Sequence, residues 1–288
     1  MPGNRHLADR LRTQTDFHPQ QIGKENMSIL DTITRGKTPK PPIILLYGQE
    51  GVGKSTFAAK APQTIFVPTE DGLNEIDCAK FPLSKTYKEF KEKLFAIRDE
   101  THEFQTLAID SISAAERMLF RYICERHGVT NILDAAGGYG KGYKEYADEW
   151  LSIFELLSEI RDRRGMSIIL IGHCDIVRVF SPRIGQYDQF QPRLYKKAMD
   201  ILVESTDGVF FATRKVRKTA EDAGFNKKDV RTEVIGRDGG ERIIITDGGG
   251  IDGPQIAKRR FENLPQELPL DWNAFLQAWQ ATYNTPAN

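Results

Sequence analysis

The sequence has little cysteine. Cys78, Cys124 and Cys174 are the only three among 288 residues. They are too few and too scattered for a disulfide framework or a zinc site. That scarcity fits a reducing cytoplasm. Net charge is also absent, because 40 basic and 40 acidic residues cancel. Global charge therefore does not mark a nucleic-acid binder, and any such case rests on local basic patches. No apolar run approaches the roughly 20 residues a membrane span needs, so no membrane partner is expected. The N-terminus has early charges and no apolar core, so no signal peptide is expected either. There is no internal repeat.

What remains is ordinary globular composition, 40% hydrophobic and 28% charged. The length suits one large α/β domain or two small ones. Residues 1–40 are polar and read as a poorly ordered arm. Residues 41–265 alternate strand and helix patterns and read as one core. Residues 266–288 read as a closing helix with a tail.

Within the core, "IILLYG", "TIFVPTEDG", "TLAIDS", "SIILIGH" and "GVFFAT" read as buried strands. Tyr87, Phe90, Leu94 and Ile97 fall at helical spacing, as do Trp150, Leu151, Phe154, Leu157 and Ile160. Residues 112–128 read as a helix stopped near Gly128, and residues 192–204 as another helix. The glycine-rich stretch 134–145 and residues 174–191 read as loops. Residues 214–230 read as a solvated excursion. "RTEVIGRDGGERIIIT" reads as a C-terminal β-hairpin turning at Asp238-Gly239-Gly240. The expected fold is a mostly parallel sheet flanked by helices, with that hairpin appended.

Gly48, Gln49, Glu50, Gly51, Val52, Gly53, Lys54 and Ser55 match G-x-x-x-x-G-K-[ST] in full. A buried strand precedes the motif and a helix follows it, which is the context a phosphate-binding loop needs. Glycines let backbone N–H groups turn inward around phosphate oxygens, and the helix start adds its positive dipole end. Lys54 is expected to reach the β- and γ-phosphates, Ser55 to ligate Mg²⁺ and Thr56 to meet the α-phosphate of ATP. Asp110, at the tip of "TLAID", suits a second contact to Mg²⁺. The plainer alternative, compatible with it, is an N-cap, since a helix starts there.

Hydrolysis also needs a group to orient or deprotonate water. Glu70 and Asp71 stand at the tip of the strand after the P-loop helix, and the longer Glu70 is the candidate base. His173 closes another core strand and is placed to sense the γ-phosphate, or to be an ordinary satisfied side chain. Because ligands sit at the carboxyl ends of parallel strands, tips 48, 70, 110 and 173 should converge on one crevice.

The order of these parts, "GQEGVGKST", "TEDG", "LAIDS", a glycine loop, a long helix, "IILIGH" and "YKKAMDILVESTDGVFFAT", resembles the ATPase core of RecA-like recombinases. It is similar, more specifically, to short phage-encoded AAA-family ATPases, some of which are single-strand annealing proteins. The tail "AKRRFENLP" and "GFNKKDV" add to that likeness, which covers residues 40–265. The resemblance implies a RecA-like P-loop fold and Mg²⁺-dependent ATP hydrolysis, with Glu70 as the catalytic glutamate. It implies assembly into a ring or filament, with each site completed by a neighbouring subunit. Lys258 and Arg260 are then candidates for the finger reaching the neighbour's γ-phosphate, with Arg242 in reserve. His173 occupies the place of a coupling glutamine, a departure from the pattern. Single-stranded DNA is the implied partner, with a single-strand-binding protein beside it, in the cytoplasm of a host if the chain is phage-encoded.

The chemistry of the two expected loops agrees with such a partner, since single strands want cations for phosphates and rings for bases. The first offers Tyr139, Lys141, Tyr143 and Lys144. The second, extended to 197, offers Arg178, Phe180, Arg183, Tyr187, Phe190, Arg193, Tyr195, Lys196 and Lys197 against only Asp175 and Asp188. The bland alternative is that these groups pack and flank a helix. A different class of function stays open: a P-loop ATPase acting on a protein partner, as a helicase loader or a packaging accessory. A small-molecule kinase fits less well, having no use for two long loops.

Overall fold

A computed structural model describes residues 29–222, 228–234, 240–250 and 252–284. It divides into two units, Met1–Thr38 and Pro39–Asn288. In the first, Ile29–Thr32 forms one exposed 3₁₀ turn, closed by the Thr32 hydroxyl on the Ile29 carbonyl. Most of the arm expected over 1–40 lies outside the described residues.

The second unit is built on a parallel sheet. In chain order it contains β1 (Ile43–Gly48), α1 (Lys54–Ala59), β2 (Thr64–Pro68), β3 (Ala79–Lys80), α2 (Tyr87–Asp99), β4 (Thr106–Asp110), α3 (Ile112–His127), α4 (Lys141–Arg164) and β5 (Ser167–Ser181). Then come β6 (Gly185–Pro192), α5 (Lys196–Ser205), β7 (Gly208–Arg214), β8 (Val216–Asp222), β9 (Lys228–Val234), β10 (Arg242–Ile245), β11 (Lys258–Arg259), β12 (Glu267–Pro269) and α6 (Trp272–Asn284). Strand order is β12-β10-β7-β1-β5-β4-β2-β3. The strands from β7 to β3 are parallel, and β10, β11 and β12 add antiparallel edges. This is the mostly parallel, helix-flanked sheet of a P-loop NTPase core.

Strand β1 shows why the core has two halves. Its side chains alternate, as the pleat requires. Ile43, Leu45 and Tyr47 enter a cluster under α2, α3, α4 and α5. Ile44 and Leu46 enter a second cluster under α1 and α6. Every residue of β1 is buried, so the run reads as continuous apolar sequence. On α2 the four buried residues are Tyr87, Phe90, Leu94 and Ile97, the stripe expected from their spacing. Thr86 caps that helix by accepting from the Glu89 N–H, and the Glu89 carboxylate accepts from the Lys85 N–H. Ser111 caps α3, which stops at Gly128 with φ 63°. On α4 the buried stripe is Tyr146, Trp150, Ile153, Leu156, Leu157 and Ile160, while Leu151 faces outward.

Several irregular segments are more ordered than the sequence suggested. Helix α4 already starts at Lys141, so the glycine stretch is shorter than 134–145. Residues 174–191 are not a loop. Strand β5 continues past the sheet to Ser181 and returns as β6, a hairpin held from Cys174↔Pro192 to Ser181↔Gly185. In the excursion expected over 214–230, the described residues include β8, which pairs with β9 as a separate two-stranded ribbon. The C-terminal hairpin expected over 231–246 does not form as such. Its first arm belongs to β9, and its second, β10, pairs with β7 and β12. Ile243 and Ile244 are buried, and joining the core sheet is what covers them. Asp238 and Gly239 of the expected turn lie outside the described residues.

Candidate nucleotide site

The site is assembled at the carboxyl ends of β1, β2, β4 and β5. Register brings the tips level: Gly48 pairs with His173, and Asp110 pairs with Ile171 and Pro68. Between them lies a cavity of about 300 Å³ lined by Gly51, Gly53, Lys54, Ser55, Thr56, Glu70, Asp110, His173 and Arg242, among others. Two glycines are needed here for different reasons. A Cβ on Gly48 would lie 2.1 Å from the Ala212 carbonyl oxygen, because β7 passes too close. Gly53 caps α1 at φ 108°, a left-handed conformation that a side chain rarely adopts.

The Lys54 ammonium donates to the Gly48 and Gln49 carbonyls at 2.9 and 2.8 Å. Burial pulls its pKa down, against the pull of Asp110, Glu50 and Glu70 upward. The Ser55 hydroxyl donates to Asp110 Oδ2 at 2.6 Å. Asp110 is not the helix cap, since Ser111 fills that role. Burial pushes the Asp110 carboxyl up; the Ser55 hydrogen bond opposes this, and the charge of Glu70 adds to it. A buried carboxylate held beside a hydroxyl, at a phosphate cradle, is a place where a cation relieves an electrostatic cost. The pair fits Mg²⁺, which takes few protein ligands and completes its shell with phosphates and water. Among the described residues no group of three or more His, Cys, Asp or Glu side chains could hold a metal ion.

Glu70 extends from the end of β2 toward His173, with Oε1 2.7 Å from Nε2. An ionised carboxylate only accepts, so Nε2 carries the hydrogen. On the other oxygen, Arg117 of α3 stands at 3.6 Å. Burial works to raise the Glu70 carboxyl. His173, Ser111 and Arg117 outweigh it and hold the group below the ordinary range. Asp71 points elsewhere, accepting from Asn74.

His173 lines this cavity and stands where β5 passes into the β5–β6 hairpin. Its backbone N–H donates to the Ser113 hydroxyl, 3.2 Å away. Its Nδ1 is buried without a hydrogen-bond partner, 3.9 Å from Glu50 of the P-loop. Glu50 also stands 3.8 Å from Arg193, which follows β6. A further cavity of about 330 Å³ lies across the P-loop, between Gln49, His173, Ile176, Phe190 and Arg193.

The remaining candidates divide. Arg242, on β10, lines the nucleotide cavity of its own chain, its Nη1 about 3.1 Å from where a Gly53 Cβ would be. Lys258 and Arg260 do not reach that cavity. They lie by the start of β7, where both donate to the Glu204 carbonyl and Arg260 stands 3.7 Å from Asp207. The two expected loop regions meet: Tyr143 and Tyr195 stack at 4.7 Å. Those rings are therefore packed against each other, and Phe190 likewise stacks on Phe211. Tyr139 is fully exposed and Phe180 is 72% exposed.

The local basic cluster is more neutral than the sequence suggested. Arg178 pairs with Asp188, Arg183 with Asp252, Arg193 with Asp175 and Lys196 with Asp200. Asp200 and Asp252 come from outside the counted stretch, which is why counting its acids missed them. Lys141 and Lys197 are exposed with no ion pair among the described residues.

One buried group had no signal in the sequence. Glu116 accepts from the Tyr146 hydroxyl and from the Tyr195 backbone N–H at 2.8 Å. It ties α3, which starts at the nucleotide cavity, to α4 and to the start of α5.

A phosphate-binding loop on a buried parallel sheet, with an acid at a neighbouring strand tip, defines the class as a P-loop NTPase. A profile of the family described as "AAA domain" matches residues 40–249, and the chain belongs to that family. Nucleotide binding and P-loop NTPase activity go with membership. The chain is also similar to the SPbeta prophage-derived uncharacterized protein YorG of Bacillus subtilis (strain 168). The two are 29% identical over 136 residues, which is 46% of this chain and 40% of that protein. The match thus spans less than half of the relative's own length. Among the described residues no helix is long and apolar enough to cross a membrane.

Proposed function

We propose that the protein hydrolyses ATP with Mg²⁺ and uses the nucleotide to control how its β5–β6 hairpin holds single-stranded DNA, in an oligomer that anneals or recombines strands. The observation that supports this most is the Glu70–His173 contact. It puts the candidate base and the root of the hairpin in one hydrogen bond.

Glu70 takes the proton of a water as that water attacks the γ-phosphorus. The bond from the γ-phosphorus to its bridging oxygen breaks, and ADP and phosphate leave. Held ionised by His173 and Arg117, Glu70 can accept from that water. Lys54 turns from the P-loop carbonyls to the β- and γ-phosphates, and Arg242 stands at the mouth. Mg²⁺ at Ser55 and Asp110, when bound, neutralises charge on the phosphates. When the γ-phosphate goes, Glu70 and His173 rearrange, and β5 carries the change outward. Lys258 and Arg260, remote from their own cavity, serve a neighbour's site.

On the hairpin, Phe180 stacks a base, Arg178 exchanges the exposed Asp188 carboxylate for a phosphate, and the exposed Arg183 adds a cation while staying beside the buried Asp252 carboxylate. Exposed ion pairs are worth only about 0–1 kcal/mol, so that exchange is cheap. Tyr139, Lys141, Lys196 and Lys197 extend the track. A protein partner is the second reading, favoured by the exposed apolar side chains Ile176, Phe180 and Ile184 on a hairpin whose arginines are already paired. The deciding experiment is steady-state ATP hydrolysis with single strands, with duplex and with neither, against a Lys54→Ala control. Stimulation by single strands supports the first reading. Hydrolysis that needs Lys54 yet ignores DNA supports the second.

A further inference from the structure

Away from the nucleotide cavity and the hairpin, a groove of about 530 Å³ lies between the start of α2 and the middle of α3. Its charged lining is Lys85, Lys88, Arg121, Arg126 and Glu125. Arg126 is compensated by Glu145 and Glu149. Lys85, Lys88 and Arg121 have no ion pair with any described residue. In a chain whose charges cancel overall, three unpaired cations on the two sides of one groove, against Glu125 alone, are a local excess. Concave low-dielectric walls focus such a field.

The groove also shows what kind of anion it suits. The Tyr122 ring inside it is flanked by Lys88 at 6.0 Å and Arg126 at 5.5 Å from its centroid. Tyr87 leans on the same ring at 5.1 Å. That ring is not free to stack a base, so recognition falls on phosphates. The cations border the groove from both sides, Lys85 and Lys88 at the start of α2 and Arg121 on α3. A compact nucleotide needs a closed cradle; an extended phosphodiester backbone needs a track.

We propose that this groove binds the backbone of a nucleic-acid strand, independently of base sequence and apart from the hairpin. The proposal rests on the nucleic-acid reading above. Its test is fluorescence anisotropy of a labelled single-stranded oligonucleotide across a salt titration. The proteins are the wild type, the Lys88→Gln/Arg121→Gln pair, which keeps the aliphatic stems, and Phe180→Ala. The groove pair should weaken binding about tenfold at low salt. It should also flatten the salt slope by about 1.4, two phosphates at about 0.7 each. Its basal ATP hydrolysis should stay within about twofold of wild type, showing an intact fold. Unchanged affinity and slope in the groove pair, with weakened binding in Phe180→Ala, would overturn the groove and leave the hairpin reading standing. No oligonucleotide binding by the wild type would overturn both. A fluorescent ATP analogue separates the other phosphate source. Binding that survives Lys54→Ala and is abolished by the groove pair, with oligonucleotide affinity untouched, would make the groove a nucleotide site and overturn the proposal.

Discussion

Strand β5 is one strand with two unlike halves. From Ile168 to Gly172 it lies at the centre of the sheet, between β1 and β4, with every residue buried. From Cys174 to Ser181 it projects beyond the sheet, where β6 is its one paired strand among the described residues. Ile176 and Phe180, 64% and 72% exposed, sit there where Ile169 and Leu170 are packed tight. His173 marks the join. The inner half is held by burial on both faces, the outer half by cross-strand pairing and by anchors such as Gln189 to the Gly253 carbonyl. A strand built this way can take a push at its buried end and deliver it to an end held by fewer contacts.

Substitutions can break that comparison. The largest expected effect is on chemistry at the join. Glu70→Gln should lower ATP turnover by about 10²–10⁴-fold with nucleotide still bound, as loss of a general base does; an unchanged kcat would remove Glu70 from the mechanism. Next, Lys54→Ala should cost turnover about 10²–10³-fold, by analogy with removing one donor from a charge-stabilising site, and weaken nucleotide binding as well. The two halves of β5 should then separate in denaturant melts. Ile169→Ala should cost about 2–5 kcal/mol by leaving a core cavity. Ile176→Ala should stay within about 0.5 kcal/mol, as exposed positions do. Equal costs would mean that the hairpin is as tightly held as the sheet.

The smallest effect is a pH shift. Glu70 has a depressed carboxyl value in the folded chain, so its stabilisation is complete above the unfolded value and fades as pH falls through the lower folded one. His173→Ala removes the main opposing influence and leaves burial against only Ser111 and Arg117, so the carboxyl value rises. The acid limb of the pH–rate profile should move to higher pH. A limb that stays put would mean that His173 does not govern Glu70.

How legible this was from sequence follows the same division. The inner half of β5, like β1 and β4, is a plain apolar run, and the P-loop is a full motif in its required context. The stripe on α2 shows at helical spacing because only one side is buried. The outer half of β5 has no continuous apolar face, and its Arg178–Asp188 pair lies ten residues apart, so the stretch read as a loop. Asp252 and Asp200 neutralise Arg183 and Lys196 from outside the stretch, and only folding brings Asp252 there. Arg242 was a reserve candidate for reaching a neighbour because nothing local shows that β10 adds to β7 beside the P-loop. Glu116 lacked any signal, since a lone glutamate in a helix usually faces water.

The most direct measurement is amide hydrogen exchange on Glu70→Gln, with and without Mg²⁺ and ATP. If β5 carries nucleotide state outward, exchange should change across 174–192 as well as at the P-loop. If the change stops at residues 48–56 and the tip of β4, the two halves are uncoupled, and the hairpin does not answer to the nucleotide.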